Sequence, residues 1–250
     1  MSSPDNGHPR SPSLLAGAFN FRDLGGLPLA DGRRTRHGLL FRSDTLQALT
    51  PGDLAELRDR IGLRAVIDLR LASEVADEGR GPLAQAGGVH YVNAPLEMAS
   101  TEGIAPDQVL NRLYLQCLAS PSLAVAVTRI AEQAGEPTVF HCAAGKDRTG
   151  VVAAVVLSLL GVTEAAIVDD YLASAANMPR MVERFMSWPR YREHLAAMPA
   201  AVYAVEPGPI LHLLRALSDE FGSAQRWALR QGISKNLLEK LQRQLVAEHK

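Results

Sequence analysis

The segment His141–Gly150, HCAAGKDRTG, constrains this chain more than any other, because it sets a cysteine six positions before an arginine across a small, glycine-containing loop. The stretch before it, PTVFHC from Pro137, is short, apolar and rich in β-formers, and TGVVAAVVLSLLG, from Thr149 to Gly161, reads as a buried helix. The loop is therefore expected at a junction from strand to helix. The first amides of a helix lack intrahelical acceptors and share the positive end of the helix dipole, so such a junction can surround an anion. The pattern points to a phosphoryl group held over Cys142.

Each residue type in the loop suits that chemistry. A free thiol with a pKa of ~8.5 is mostly protonated at neutral pH, and a helix N-terminus beside Arg148 and Lys146 is expected to lower that value for Cys142. Arg148 offers a planar donor fork that matches two phosphoryl oxygens, whereas Lys146 supplies a mobile point charge. Gly145 permits a backbone conformation that a β-carbon would obstruct, and Ala143 and Ala144 keep side chains small where amides turn inward. The Thr149 hydroxyl is placed to stabilise Cys142 as a departing thiolate. Asp147 is the odd member: a carboxylate beside a phosphate dianion is repelled unless protonated or paired, so it signals proton transfer or a bracing salt bridge. A nucleotide-binding P-loop, G-x-x-x-x-G-K-[ST], needs glycine where Phe140 stands and a hydroxyl where Asp147 stands, and is excluded twice. Cys117, in LYLQCLAS, reads as an inert helical core residue.

HCAAGKDRTG resembles the active-site loop of the cysteine-dependent protein-tyrosine phosphatases, and its GKDRTG ending is similar to a bacterial branch of tyrosine and dual-specificity phosphatases with additional phosphoinositide activity. NFRDLGGLPLADGRRTRHGLLFRSD (Asn20–Asp44), VIDLRLASEV (Val66–Val75) and FGSAQRWALRQGISKNLLEKLQRQL near the C-terminus resemble further segments of that branch, so the likeness spans about residues 18–248. The resemblance implies an α/β fold with a central mixed sheet flanked by helices and a helical lid-like insertion. It implies hydrolysis of phosphate monoesters on phosphotyrosine proteins or phosphoinositides, without cofactor or metal. Cys142 becomes the nucleophile, Arg148 the phosphate clamp, Lys146 a second cation for lipid phosphate, and Asp147 the loop acid. The W-P-D acid loop of the wider superfamily has no counterpart, since Trp188-Pro189 follows the nucleophile and precedes Arg190; Asp147, Asp107 and Glu97 stand as the candidate acids. Two other classes compete: a module that binds phosphotyrosine or inositol phosphate with little turnover, and rhodanese-like sulfur transfer. The pairing of Cys142 with Arg148 disfavours the first, because binding alone needs no thiolate, and the GKDRTG half disfavours the second.

Beyond the loop, β-like runs at Gly38–Arg42, Ala65–Asp68, Val89–Asn93 and Thr138–His141 alternate with helical stretches, one of them opened by Thr50 as cap and Pro51 at the first helical position. Asp68 and Arg70 fall at a strand's carboxyl end, where they form either part of the site or a salt bridge tying strand to loop. From Tyr171 to Ser218 the pattern is helical, with Met178, Met181, Phe185, Met186, Trp188 and Tyr191 near proline breaks, which reads as a lid over the loop or as ordinary packing. Residues 1–17 are expected to be a disordered tail and 18–250 a single domain, monomeric or weakly oligomeric. A net charge of −1 gives no general attraction to nucleic acid or anionic membrane, although Arg33, Arg34, Arg36 and Arg42 cluster in a stretch that reads as a substrate-facing patch or a solvated hairpin. The longest apolar segment, Val151–Val162, is far short of the ~20 residues of a membrane span. Two distant cysteines and a polar start without a secretory core point to the cytoplasm, with leaderless export, found in some relatives of the resembled branch, left open.

Overall fold

Leu40–Ser43 (β2), Ala65–Asp68 (β3), His90–Asn93 (β4) and Thr138–His141 (β5) pair in parallel, and Arg22–Asp23 (β1) adds antiparallel to β2. The computed structural model describes residues 15–98, 103–105, 107–188, 192 and 203–248. The sheet order is β1-β2-β5-β3-β4, which places β5 at the centre of a mixed five-stranded sheet. Side chains alternate across it: Leu40, Ile67 and Phe140 join the larger core, while Phe41, Val66 and Val139 join the smaller one on the other face. Ser43 and Asp68 both stand opposite His141 in register, so three strand ends reach one level and the loops leaving them converge.

The larger core is organised by Asp147–Leu160 (α6), which is buried on every side from Thr149 to Leu157. Val109–Ala119 (α4), Pro121–Glu132 (α5), Glu164–Leu172 (α7), Pro207–Phe221 (α9), Ala224–Arg230 (α10) and Lys235–Leu245 (α11) all pack against it. A helix without a polar face is stable in water only when enclosed in this way. Gly161, in the left-handed region with φ of 86°, ends α6. The mixed sheet with flanking helices is the fold class expected from the resemblance.

Several boundaries differ from expectation for local reasons. Gly38 has φ of 77° in the turn before β2, so that strand starts at Leu40. Two residues are too few to carry an alternation, and β1 had no sequence signal. The Thr50 side chain caps Pro51–Ala55 (α1), as the sequence suggests, and the Asp53 carboxylate accepts the Thr50 amide in return, but the next turn, Glu56–Arg60, widens into a π-helix. Asp53 also accepts the amides of Ala16 and Gly17 at 2.8 and 2.9 Å, and Leu15 is buried. Within 171–218, Met178–Ser187 (α8) follows a 3-10 turn, Ala173–Asn177; Tyr191 lies outside the described residues. Ile210 and Leu213 of α9 are fully buried in the larger core. No single described helix is long and apolar enough to cross a membrane.

Asp68 and Arg70 resolve into a tie between strand and helix. The Arg70 guanidinium grips Asp68 at 2.6 Å, Glu78 at 3.0 Å and the Gly79 carbonyl at 3.0 Å, joining the end of β3 to the end of Ala72–Glu78 (α2), and Tyr91 adds a 2.6 Å bond to Asp68. Burial acts to raise the Asp68 carboxyl, but the charges of His141 and Arg70 and the donated bonds outweigh it and hold the value at about 2. A carboxyl held low in the folded state contributes stability above its unfolded value of 3.8 and loses it as pH falls toward 2. Denaturant titrations of wild type and Asp68→Asn should therefore show a stability gap that closes between about pH 4 and pH 2; a gap unchanged over that range contradicts the assignment.

Candidate active site

β5 ends at His141, α6 begins at Asp147, and the five residues between them fold into a bowl. Its shape is set by carbonyls held from outside. Ala143 O accepts Thr45 N at 2.9 Å, Ala144 O accepts Asn20 Nδ2 at 3.4 Å, and Gly145 O accepts Asn20 Nδ2 at 3.1 Å and Arg42 Nη2 at 2.7 Å. No described peptide is cis, so each outward carbonyl turns the following amide, of Ala144, Gly145 and Lys146, the other way. One inward amide already has an acceptor: Gly145 N donates to Cys142 Sγ at 3.2 Å. Cys142 is 2% exposed, at the base of the loop. Gly145 has φ of 66°, and a β-carbon there would lie 2.6 Å from Asp44 N and closer still to Ser43 O, so both conformation and space require glycine.

Arg148, in the first turn of α6, is held by a residue that the sequence reading passed over. Its two terminal nitrogens bond the two Glu74 oxygens at 2.5 and 2.9 Å, a fork that fixes the guanidinium plane. Burial acts to raise the Glu74 carboxyl, and the bonds and charge of Arg148 outweigh it, so Glu74 stays ionised. Thr149 Oγ1 is buried with no hydrogen-bond partner among the described residues.

The Lys146 ammonium is 1% exposed and is directed at Ala204 O, 3.0 Å, and Asp147 Oδ1, 3.2 Å. It ties the loop to the segment before α9 instead of standing open to solvent. Asp147 Oδ1 also accepts the Tyr114 hydroxyl at 2.6 Å, and its side chain keeps 23% exposure. The other two candidate acids are elsewhere. Asp107 is exposed and bonds Gln108, and Glu97 is exposed with its carbonyl 3.9 Å from Cys117 Sγ; neither shares a hydrogen bond or ion pair with a loop residue among the described residues. Cys117 is buried, and burial pushes its thiol up to about 11, in keeping with an inert core position.

The arginine cluster divides. Arg33 pairs with Asp31 in a hairpin turn, Arg34 bonds Gly26 O and Arg36 bonds Val246 O, whereas Arg42 is wholly buried between Asp170 and Gly145 O. Asp170 also takes Arg22 at 2.7 Å, and Arg22 bonds Asn20, so one polar network backs the loop. Met178, Met181 and Phe185 of α8 are buried in a cluster with Ala143, and Phe19, Trp188 and Tyr203 pack at its edge. Arg184 fastens this helix by donating to Asp44 at 3.3 Å and lying 3.6 Å over the Phe19 ring. Burial raises the Asp44 carboxyl to about 6 despite these donors. Among the described residues, no group of three or more His, Cys, Asp or Glu is arranged to hold a metal ion.

Residues 14–247 match the tyrosine phosphatase family. The triple specificity protein phosphatase PtpB of Mycobacterium tuberculosis is 34% identical over 204 residues, covering 68% of this chain and 71% of that one. A putative tyrosine-protein phosphatase of Cupriavidus necator is 35% identical over 170 residues, covering 62% of this chain and 60% of that one. Among solved structures, the Siw14 catalytic core is similar at 15% identity and a TM-score of 0.40, over 84% of this chain and 96% of that chain. The chain belongs to the tyrosine phosphatase family and is by that membership a phosphoric monoester hydrolase.

Proposed function

We propose that the protein hydrolyses phosphotyrosine through a phosphocysteine intermediate formed on Cys142. The observation that carries this reading is the placement of Cys142 Sγ against the Gly145 amide, inside a loop whose Ala143, Ala144 and Gly145 carbonyls are bonded from outside. Sγ attacks phosphorus in line, the ester P–O bond breaks, and the leaving oxygen takes a proton from a carboxylic acid. Arg148 and the inward amides hold the equatorial oxygens, with Glu74 keeping the Arg148 fork in plane. Water then cleaves the S–P bond and gives its proton to the same carboxylate, while Thr149 stabilises the departing thiolate.

Asp147 is assigned as the acid, since of the three candidates it alone adjoins the loop. The description of PtpB as a triple specificity phosphatase supports a wider substrate range, with phosphoinositides included as the resemblance implies. A panel of phosphotyrosine peptide, phosphoserine peptide and monophosphorylated phosphoinositides reads that range directly.

Three outcomes check the chemistry. Wild type should hydrolyse p-nitrophenyl phosphate with vanadate inhibition and no sensitivity to EDTA, and Cys142→Ser should be inactive; an active serine variant, or loss of activity on chelation, rejects the mechanism. Asp147→Asn should lose ~10²-fold or more on a poor leaving group and much less on p-nitrophenyl phosphate; equal losses reject Asp147 as the acid. Glu74→Gln should fold normally by circular dichroism yet lose roughly tenfold or more in kcat/KM, because the clamp it holds is misaimed. Wild-type kinetics in that variant would remove Glu74 from the site.

A further inference from the structure

Asp147 sits at the end of a short ladder of buried hydroxyls. Tyr114, from the middle of α4, is fully buried and donates to Asp147 Oδ1 at 2.6 Å; Tyr171, from α7, is 2.8 Å from the Tyr114 oxygen. A phenol has a single proton. If Tyr114 gives its proton to Asp147, the bond between the two tyrosines must be donated by Tyr171, so the ladder runs in one direction, from α7 through α4 to the carboxylate. Burial, and after it the charge of Asp147, push both hydroxyls well above the usual tyrosine range, so both remain donors.

The ladder is fixed in place by packing. The rings meet edge to face, with centroids 6.2 Å apart at 84°. The Tyr171 ring lies so close to α6 that a β-carbon at Gly150 would be 3.0 Å from its edge, so a larger residue there would push the ring aside. The Lys146 ammonium, at 3.2 Å, also addresses Oδ1. Both donors therefore meet one oxygen of the carboxyl group, while Oδ2 accepts no hydrogen bond from the described residues.

We propose that Tyr114 is the positioning residue for Asp147: by holding Oδ1 it commits Oδ2 to the proton exchanged with the substrate's leaving oxygen and the attacking water. This inference rests on the reading of Asp147 as the acid, and the test separates the two.

The experiment compares wild type, Tyr114→Phe, Tyr171→Phe, Asp147→Asn and the Tyr114→Phe/Asp147→Asn double variant on p-nitrophenyl phosphate and on phenyl phosphate, with thermal unfolding of each. Tyr114→Phe should lose about tenfold more kcat on phenyl phosphate than on p-nitrophenyl phosphate, with KM little changed. The double variant should be no slower on phenyl phosphate than Asp147→Asn, because the two changes interrupt one function. Tyr171→Phe also removes a buried hydroxyl but leaves the Tyr114–Asp147 bond, so its two losses should agree within about twofold and serve as the control for destabilisation. If Asp147→Asn discriminates between substrates and Tyr114→Phe does not, or if their losses multiply in the double variant, the positioning role is overturned while the acid stands. If Asp147→Asn itself fails to discriminate, the acid assignment falls and the positioning role falls with it.

Discussion

The site depends on which way three peptide groups face. Left alone, a glycine-containing loop after a strand has no reason to point successive amides at one spot, and each carbonyl turned inward would repel a phosphate. Here Thr45, Asn20 and Arg42 remove that problem from outside the loop by donating to the carbonyls of Ala143, Ala144 and Gly145. Planar trans peptides convert those three outward carbonyls into three inward amides. Electrostatic stabilisation of a phosphoryl group is strongest when its donors are oriented before the substrate arrives, and this arrangement achieves that without any loop side chain larger than a methyl over the floor.

The outer bonds are themselves held by charge. Asp170 lies between Arg22 and Arg42, deep enough that burial acts to raise its carboxyl, yet the two guanidinium groups keep it below the usual range. Such a network adds little net stability, because desolvation offsets much of the attraction, but removing one member strands the others and costs about 3–5 kcal/mol. Its value to this protein is geometric. It links β1, β2 and α7 to the loop carbonyls, so the shape of the bowl is tied to the packing of the domain core and not to the loop alone.

Much of this was legible in the chain and some was not, for definite reasons. β3 and β5 appear at their expected residues because they are buried apolar runs flanked by breakers. α6 follows from the apolar run Val151–Leu160, interrupted only by Ser158, and from its closing glycine. Gly145 was identifiable because its role is written in its own lack of a side chain. Glu74 was not, since its bond to Arg148 spans 74 positions and leaves no periodic trace. Asn20 and Arg42 lay in stretches singled out by resemblance, but their work is done on loop carbonyls more than 100 residues away. Arg42 also shows the limit of reading charge clusters: its neighbours Arg33, Arg34 and Arg36 serve a hairpin and the C-terminal segment, while it is buried beneath the site. The same limit applies to the methionine-rich stretch, where α8 packs on the loop but α9 belongs to the core.

The most direct measurement is mass spectrometry of the peptide containing Cys142 after rapid acid quench of enzyme turning over an aryl phosphate. A phosphoryl group should appear on Cys142 Sγ, accumulate when breakdown by water is slowed and disappear on chase. Turnover at the normal rate with no phosphoryl group ever found on that sulfur, or with the group found on another residue, would contradict the phosphocysteine mechanism.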